Sequence, residues 1–462
     1  MLPLFSRQVI YPLQEIACRR PTFPCLRDLE RSQWLTREEL RALQRRRLND
    51  LLKAAMEHSP WHARRIQAAG LADAIKLGSL KLQDLRLLPT MTKTDARAHI
   101  DELVWHQVPG GVKRYNTGGS SGEPLIFFFG KARQASDAAG RMRARRWWGV
   151  EPGQKEVYLW GAPVELNKTD RMRTIRDRLL NQLVLNAFAM GTREMDEYLE
   201  TLQAWQPVCI YGYASSLALL AAHALASGKP LTLKRLKVVC TTGETLDPQQ
   251  RALISKTFGA PVANEFGSRD IGFMAHEAPS GEILFQSESH IIEILDESGN
   301  AVPQGEFGEA VLTGLTSAAQ PFIRYRTGDV VRMGNPSENQ RRGLDVIREI
   351  AGRQTDFVVS SDGTIIHALA IIYVLRAVPG IFRFKCIQHS RKYFEVKIQP
   401  SPDWQDSSKH LIMAGLTSRL GGTVQIEIIV VDEISVESSG KHRHVISHVS
   451  LSDSLHYEPL SG

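Results

Sequence analysis

The sequence predicts an α/β protein with a large, layered N-terminal domain containing mixed sheets and a small α+β C-terminal domain. Its 462 residues suffice for two to four domains at ~100–200 residues per domain. From about residue 115 onward, short apolar runs alternate with helical stretches, which is typical of a partly parallel sheet covered by helices. After Gly352 the order becomes strand, helix, two strands, helix and strand, which predicts a separate α+β domain. We place the boundary between residues 1–351 and residues 352–462.

The first long element is a helix inside a helical lead-in of residues 1–60. Thr36 and Glu39 have the spacing of a capping box, and leucines then recur near the helical period, so we expect a helix from Thr36 to about Met56. Buried strands are predicted at Leu125–Phe129, Val157–Trp160, Val208–Tyr211 and Leu236–Thr241. Helices are predicted between some of them, at Ala132–Trp148, Arg193–Gln203, Ser215–Ala226 and Pro248–Phe258.

Between Ile283 and Leu312 the pattern becomes that of β-structure. Ile291–Leu295 alternates in polarity, turn residues follow at 296–300, and Glu309–Thr313 continues the pattern, which predicts an antiparallel hairpin. The elements expected in the last segment are the helices Ala368–Val378 and Ser407–Leu420 and the strands Phe384–His389, Tyr393–Ile398 and Val424–Val431. A polar loop is expected after the last of these strands.

Composition places the chain among ordinary globular proteins. Hydrophobic residues make up 43% and charged residues 23%, which excludes a mostly disordered chain. The net charge of +7 is small for this length and does not indicate a nucleic-acid partner. Five scattered cysteines without a CxxC pair argue against a disulfide framework. No apolar run approaches the ~18–20 residues of a transmembrane helix, and the N-terminus lacks the apolar core of a signal peptide, so we expect a cytoplasmic protein.

The most informative motif is the loop Tyr115–Pro124. Its glycines and hydroxyl side chains can present N–H and O–H donors to a polyphosphate. They are Thr117, Gly118, Gly119, Ser120, Ser121 and Gly122. The loop is not a Walker A motif, because the Gly-Lys-Ser/Thr ending is missing and a strand is predicted to follow. Taken alone, an ordinary flexible Gly/Ser loop explains it equally well.

A second motif, Asn264–Asp270, follows the predicted turn Thr242–Glu244. The ring of Phe266 beside Gly267 can stack on a purine, and the Asp270 carboxylate can hold a divalent cation. The alternative interpretation places Phe266 in the core and Asp270 among surface charges. Taken alone, the motif favours that alternative.

Three shorter motifs complete the series. Ile323–Asp329 ends in a turn whose Asp329 is suited to accept hydrogen bonds from vicinal ribose hydroxyls. Gly352–Asp356 lies at the predicted domain junction. Ser438–Arg443 places Lys441 in a loop from which it can supply a cation late in a reaction. Each is also explained as an ordinary turn, linker or basic tail.

In their order, these five motifs resemble the adenylate-forming superfamily of acyl-CoA synthetases and related ligases. The likeness is greatest to its phenylacetate–CoA ligase-like branch, which has capsule-biosynthesis and coenzyme F390 synthetase-like relatives, and it extends from about Leu35 to Ile446. Further segments that resemble this branch are Leu40–Met56 with His58–Trp61, Leu87–Lys93, Tyr211–Ser216 and Phe322–Asp329.

The resemblance implies a large N-terminal adenylation domain and a small mobile C-terminal domain that carries the catalytic lysine loop. It also implies an enzyme that uses ATP and Mg²⁺ to activate a small carboxylic acid as an acyl-adenylate. The acyl group would then pass to a thiol, usually that of coenzyme A. A carboxylate that attacks an anionic phosphate meets charge repulsion, which Mg²⁺ and Lys441 would offset.

The resemblance also implies a role for each motif. The hydroxyls and glycines of Thr117–Gly122 would hold the β- and γ-phosphates. The remaining nucleotide-binding residues would be Gly243 and Glu244 along the adenine, Phe266 beside it with Gly267 and Ser268, and Asp329 on the ribose. The catalytic residues would be Lys441 on the carboxylate and α-phosphate, Asp270 on Mg²⁺, and Arg353 on ribose or phosphate. Asp356 would be the hinge. Residues expected near the acyl group are Tyr211, Tyr213, Ala214, Ser215 and Arg269.

Several positions depart from the pattern of these relatives. Glu123 stands where many relatives have Lys, which removes a positive charge near the γ-phosphate. Asp270 is one methylene shorter than the usual Glu, and Arg269 replaces a hydroxyl residue. Some relatives have a Cys/His zinc site after this motif, whereas here only His276 and His290 with Glu277 are available.

Other functions remain open from the sequence. The acceptor is coenzyme A or, alternatively, a carrier protein, an amine or a sugar. A third hypothesis is transfer of AMP to a hydroxyl, and a fourth is a nucleotide-binding homologue without catalysis. A homodimer is possible, whereas a nucleic-acid partner is disfavoured.

Overall fold

Local signals in the sequence determine where the first long helix begins. In the computed structural model, Thr36 accepts a hydrogen bond from the backbone N–H of Glu39, and the Glu39 carboxylate accepts one from the backbone N–H of Thr36. This reciprocal capping box begins a helix at Arg37–His58, which confirms the predicted element. The structure describes residues 3–116, 126–161, 168–188, 190–228, 231–244, 246–296, 298–337, 341–351, 357–434 and 445–449.

Helices occupy most of the first hundred described residues and later alternate with strands. The α-helices are α1 (Pro3–Phe5), α2 (Tyr11–Ala17), α3 (Thr22–Ser32), α4 (Arg37–His58), α5 (Pro60–Ala68), α6 (Ala72–Lys76), α7 (Lys93–Ala98), α8 (Ile100–Leu103), α9 (Lys131–Trp147), α10 (Lys168–Leu179), α11 (Thr192–Trp205), α12 (Ala214–Ala226), α13 (Pro248–Phe258), α14 (Ala368–Ala377) and α15 (Ser408–Leu420). A π-helical segment lies at Ser6–Ile10 and a 3₁₀ helix at Leu82–Leu87.

The strands begin at residue 112. They are β1 (Val112–Asn116), β2 (Ile126–Gly130), β3 (Glu156–Trp160), β4 (Gln182–Asn186), β5 (Cys209–Tyr213), β6 (Val238–Thr242), β7 (Val262–Ser268), β8 (Gly272–Glu277), β9 (Ile283–Phe285), β10 (His290–Leu295), β11 (Phe307–Gly314), β12 (Tyr325–Gly334), β13 (Val346–Ala351), β14 (Phe357–Val359), β15 (Ile365–His367), β16 (Ile381–Ser390), β17 (Tyr393–Pro400), β18 (Gln425–Val430) and β19 (Val445–Ser447).

A mixed sheet dominates the N-terminal part of the molecule. Among the described residues it has eleven strands in the order β10-β11-β12-β13-β9-β8-β7-β6-β5-β3-β4. The strands from β4 to β7 are parallel to their neighbours, and those from β7 to β10 are antiparallel. Strand β7 therefore has a parallel neighbour on one side and an antiparallel neighbour on the other.

The helices cover this sheet with apolar faces, because the central parallel strands β5 and β6 are buried along their whole length. A large cluster joins β3–β6 to α11, α12 and α13. The helices α4–α6 instead pack on the segment near Ile323. The predicted hairpin is confirmed by the antiparallel pairing of β10 with β11. Among the described helices, none combines the length and the apolarity needed to cross a bilayer.

A smaller α+β unit follows residue 357 and confirms the predicted fold class. Its four described strands have the order β18-β17-β16-β19, and α14 and α15 share its apolar core. The predicted helices and strands of this segment agree with the structure to within about three residues at each end. Strand β19, which follows the polar loop, was not predicted. The domain boundary at residue 351 stays a prediction, because residues 352–356 lie outside the described part.

Candidate active site

The carboxyl ends of five parallel strands meet at one edge of the large sheet. They are the ends of β4, β3, β5, β6 and β7. Tyr213 pairs with Thr242, and Thr242 pairs with Glu265, so the motifs that follow these residues are neighbours. Adjacent strands are ~4.8 Å apart, which places the ends of β5 and β7 about 10 Å from each other. Ligands of open α/β sheets bind at this kind of edge.

The carboxylate of Asp270 is held on both oxygens just beyond the end of β7. Its Oδ1 accepts hydrogen bonds from the hydroxyl of Ser268 at 2.5 Å and from the backbone N–H of Ile271 at 3.2 Å. Its Oδ2 accepts the phenolic hydroxyl of Tyr325 at 2.6 Å. The residue is 5% exposed. These donors fix the orientation of a carboxylate that the sequence assigned to a metal.

Neighbouring charges keep Asp270 ionised in spite of its burial. Burial alone would raise the pKa of its carboxyl group, but the positive charges of Lys93 and Arg133 and the hydrogen bonds from Ser268 and Tyr325 lower the pKa below its ordinary value. Asp270 is therefore an anion that the fold itself stabilises, in a place where a cation can be attracted.

Arg133 of α9 holds the backbone on which Asp270 lies. Its guanidinium donates to the carbonyl oxygen of Asp270 and, at 2.8 Å, to that of Arg269. It also lies 4.7 Å from the ring centroid of Phe129, which helps bury it. The side chain of Arg269 is exposed, so its predicted contact with an acyl carboxylate or phosphate stays a prediction.

The segment Leu87–Lys93 is hydrogen-bonded to the strand that contains Tyr325. The backbone N–H of Met91 donates to the carbonyl of Arg324, and that of Arg326 donates to the carbonyl of Met91, both at 2.8 Å. The Arg324 guanidinium adds a bond of 2.5 Å to the carbonyl of Leu88. These contacts bring Lys93 close enough to act on the charge of Asp270.

Asp329 lies four residues after Tyr325, behind a tight turn of β12. Gly328 has a φ of +76°, which favours glycine, and its N–H donates to Glu309 at 3.0 Å. The backbone N–H of Asp329 donates to the Thr327 hydroxyl at 3.1 Å. Asp329 is half-buried on the strand that also presents Tyr325. The predicted ribose ligand thus lies on the strand whose Tyr325 contacts the predicted metal ligand.

A second cluster forms at the ends of β3, β4 and β5. The ring of Tyr213 stacks on Trp160 with centroids 4.3 Å apart, and it faces Phe188 at 6.4 Å with nearly parallel planes. Phe188 also packs against the core of the C-terminal unit. The predicted substrate residue Tyr213 is therefore the middle ring of an aromatic stack at the edge of the sheet.

Glu244 and Ser215, assigned separately from the sequence, are bonded to each other. The Glu244 carboxylate accepts the backbone N–H of Ser215 at 2.9 Å and its hydroxyl at 2.5 Å. Because Ser215 follows Ala214 in the first turn of α12, this carboxylate is stabilised by the positive end of the helix. Gly243, with a φ of +76°, lies against the ring of Tyr213. This contact and the Glu244–Ser215 pair join the end of β6 to the start of α12.

Two other predicted site residues are mainly core residues. Tyr211 is buried, and its hydroxyl donates to Glu265 at 2.8 Å, whose carboxylate also pairs with Arg141. Phe266 is buried in the cluster that contains Phe127. The interpretation of Phe266 as a core residue therefore describes its position. A purine stacking on Phe266 and an acyl group contacting Tyr211 stay predictions.

The described residues fit Mg²⁺ only through Asp270. Within them, Oδ2 of Asp270 accepts a single hydrogen bond, so a lone pair is left for a cation, and Mg²⁺ is commonly held by one or two carboxylates and substrate phosphates. No three His, Cys, Asp or Glu side chains of the described part could hold a metal ion by themselves. His276 and His290 are buried and contact the backbone carbonyls of Glu277 and Ile271.

Sequence reasoning missed five residues that complete the site. They are Lys93, Arg133, Trp160, Phe188 and Tyr325. Lys93 and Tyr325 belong to segments that resembled the ligase branch, and this likeness was the available signal. Arg133 lies in the predicted helix Ala132–Trp148, and no motif in the sequence marks it as a site residue. The residues Thr117–Gly122, Glu123, Arg353, Asp356 and Lys441 lie outside the described part of the chain.

Known proteins share both the sequence and the fold of this chain. Residues 358–448 match the family model of the CapK C-terminal domain. Protein CapK of Staphylococcus aureus is 23% identical over 419 residues, which are 89% of this chain and 90% of CapK. The phenylacetate-coenzyme A ligase of Thermus thermophilus is 25% identical over 358 residues, 75% of this chain and 77% of the ligase. The chain is thus similar, over most of its length, to CapK and to the phenylacetate-coenzyme A ligases.

A solved structure of a CoA ligase has the same fold as this chain. The 2-hydroxyisobutyryl-CoA ligase with 2-HIB-AMP and CoA in its thioesterification state aligns with a TM-score of 0.59 at 20% identity. The alignment covers 92% of this chain and 93% of that enzyme. The relatives in sequence, CapK and the phenylacetate-coenzyme A ligases, and this CoA ligase in fold agree with the resemblance to adenylate-forming ligases.

Proposed function

We propose that this adenylate-forming enzyme uses ATP to convert a carboxylic acid into an acyl-adenylate and then transfers the acyl group to the thiol of coenzyme A. The observation that carries the proposal is the Asp270 carboxylate, which is buried, ionised and oriented beyond the end of β7. Such a group suits the binding of a nucleotide's metal ion. The named activities of the phenylacetate-coenzyme A ligases support the reaction class.

Each charged residue near Asp270 would contact a different charged or polar part of the metal–nucleotide. When bound, Mg²⁺ would offset the phosphate charge that opposes attack by a carboxylate. Asp270 would hold it, and Asp329 would bind the ribose hydroxyls. Lys93, whose charge acts on Asp270, would provide a cation near the phosphates. It would thereby replace the positive charge that Glu123 removes from the phosphate loop.

The remaining roles belong to motifs outside the described residues. Thr117–Gly122 would hold the β- and γ-phosphates, and Arg353 would contact ribose or phosphate. Lys441 would contact the carboxylate and the α-phosphate during adenylation. A small domain of residues 352–462, rotating about Asp356, would then withdraw Lys441 and admit the thiol.

The aromatic stack favours an apolar or aryl acid as the substrate. Trp160 and Phe188 are half-buried beside Tyr213, so their rings offer apolar surface at the sheet edge where the acyl group is expected. The phenylacetate-coenzyme A ligases among the relatives agree with an aryl substrate in their names.

Carboxylate-dependent exchange of pyrophosphate into ATP tests the proposal. We expect exchange with one class among aryl, fatty, hydroxy and amino acids, and more than ~10²-fold less exchange in Lys441→Ala, because a positioned charge on the reacting groups is lost. ATP binding by this variant is expected to stay largely intact. The matched control is Lys409→Ala, a partly exposed lysine on the first turn of α15 that pairs with Asp406. Absence of exchange with every acid, despite ATP binding, would contradict adenylation of an acid.

The relationship to CapK favours a second candidate for the acceptor. The match to CapK covers 89% of this chain, and the C-terminal unit, from which a catalytic lysine loop would act, matches the CapK C-terminal domain. An acyl-adenylate formed here would then pass to a carrier protein, an amine or a sugar. A panel of acceptors, tested with the acid found by exchange, separates this candidate from transfer to coenzyme A.

A further inference from the structure

Tyr325 makes a hydrogen bond that the proposed reaction has not yet used. Its phenolic hydroxyl donates to Oδ2 of Asp270 at 2.6 Å, and the side chain is 0% exposed. The other carboxylate oxygen is already engaged by Ser268 and the backbone N–H of Ile271. The hydrogen bond from Tyr325 thus determines in which direction the second lone pair of Oδ2 points.

The surroundings of Tyr325 prevent its ring from swinging away. The ring meets Phe322 edge to face with centroids 4.9 Å apart, and both belong to an apolar cluster with Phe127 and Phe266. The buried hydroxyl donates to the Asp270 carboxylate from within this apolar cluster. A well-packed donor of this kind holds the carboxylate in one orientation.

The backbone around Tyr325 also fixes the position of a cation. The hydrogen bonds that flank it, from Met91 N–H to the Arg324 carbonyl and from Arg326 N–H to the Met91 carbonyl, secure the chain two residues before Lys93. The side chain of Tyr325 and the backbone beside it therefore determine how the Asp270 carboxylate and the Lys93 charge lie relative to each other.

We propose that Tyr325 is a positioning residue that orients the free lone pair of Asp270 Oδ2 toward the metal ion of bound metal–ATP. This proposal rests on the proposed function, in which Asp270 holds that ion. The need for a positioning residue follows from the shorter reach of Asp compared with Glu, because a short carboxylate tolerates less misorientation. Tyr325 itself touches neither metal nor substrate.

Binding of Mn²⁺ to the enzyme with ATP, measured by electron paramagnetic resonance, tests the proposal in the Tyr325→Phe variant. Loss of a hydrogen bond to a charged group predicts about tenfold weaker Mn²⁺ binding in the ternary complex. ATP affinity measured without a divalent metal is expected to stay within about twofold, because the nucleotide contacts are unchanged. This split separates a positioning role from a general structural one.

Tyr393→Phe is the matched control, since Tyr393 also donates to a carboxylate, that of Glu427, but on the sheet of the C-terminal unit. It is expected to bind Mn²⁺ and ATP as the wild type does. Thermal melting of both variants shows whether they are folded. In the exchange assay, Tyr325→Phe is expected to need about tenfold more Mg²⁺ for half-maximal rate and to recover most of its rate at saturating Mg²⁺.

Two results would overturn the role of Tyr325. One is unchanged Mn²⁺ affinity in a folded Tyr325→Phe variant, and the other is an equal loss of ATP affinity with and without metal. A wild type that binds Mn²⁺ and ATP but exchanges with no acid would remove the proposed function while the Mn²⁺ comparison still decides on Tyr325.

Discussion

Two buried side chains of this protein differ in charge state: Asp270 is ionised and His62 is neutral. Asp270 remains an anion since Lys93, Arg133 and two hydroxyl donors outweigh the effect of burial. His62 remains neutral since burial and the cation of Arg65 lower its pKa from an ordinary 6.5 to about 3. Its Nε2 lies 2.9 Å from the Pro321 carbonyl and its Nδ1 lies 3.0 Å from the Arg65 guanidinium. Burial therefore accounts for most of the neutral state of His62, whereas adjacent charges and hydrogen-bond donors decide the ionised state of Asp270.

His62 makes stability dependent on pH in a known direction. Below pH 6.5, His62 binds a proton in the unfolded chain but stays neutral in the folded protein. The free energy of unfolding therefore falls as the pH drops from 6.5 toward about 3. At pH 5 this loss amounts to about 2 kcal/mol, at 1.36 kcal/mol per pH unit. His62→Gln keeps a donor and an acceptor but no titrating group. We expect the free energy of unfolding, measured in urea, to fall by about 2 kcal/mol less in this variant than in the wild type between pH 7 and pH 5. Equal losses would contradict the assignment.

At the scale of elements, the turn after β6 lies against the aromatic stack of the site. The absence of a side chain at Gly243 lets this turn lie close to the ring of Tyr213. A methyl group added there would lie 3.3 Å from Cε1 of Tyr213, on a backbone with a φ of +76°. At the end of α13, Gly259 has a similar φ of +67° but no atom within 4 Å of an added methyl group. An alanine would therefore be strained in the backbone at both positions, but its methyl group would contact another side chain only at Gly243.

Comparing Gly243→Ala with Gly259→Ala separates the effect of backbone strain on stability from an effect on substrate binding. Alanine at either position is expected to cost about 1–2 kcal/mol of folding free energy, because an L-residue is strained at these angles. Only Gly243→Ala is expected to raise the KM for ATP or acid in the exchange assay, by about tenfold or more, since it displaces the ring beside the proposed acyl site. Similar KM values for both variants would show that the Gly243–Tyr213 contact does not support binding.

Elements with local signals were predictable, and those without them were not. Helix α4 begins at a capping box and α13 at Asp247 followed by Pro248, so both follow from a few adjacent residues. Strands β4 and β19 are short and carry no comparable signal, and only their neighbours in the sheet define them. The same limit applies to the site, because Lys93, Asp270 and Tyr325 meet only through tertiary contacts. Resemblance to the superfamily, rather than periodicity, pointed to Asp270.

At the scale of the whole molecule, the two apolar cores share one described aromatic residue near the site. Phe188 packs against the cluster of β3–β6 and against that of α14 and the C-terminal sheet. Close by, an added methyl group at Gly191 would lie 3.2 Å from the Thr364 hydroxyl oxygen, so the C-terminal unit also approaches this backbone. Phe188 thus connects the aromatic stack of the site to the C-terminal unit.

Removal of this ring is expected to loosen the C-terminal unit. In Phe188→Ala, amide hydrogen exchange in α14 should become about tenfold faster, since roughly 1–2 kcal/mol of packing is lost at a half-buried position. Exchange in α12, deep in the other core, should change little. Phe382→Ala is the control, because Phe382 belongs to the same unit but is 40% exposed. Equal exchange in the two variants would show that Phe188 does not stabilise the unit.

The backbone pairing of Met91 with Tyr325 has a consequence for biosynthesis. The segments that meet there are far apart in the chain, and the later one emerges from the ribosome only after some seven-tenths of the protein has been made. Until then the nascent chain has no phenol for Asp270 and no strand beside Met91. The proposed metal–nucleotide site is therefore incomplete until this strand has been made, and a product truncated before Tyr325 would lack the phenol that holds Asp270.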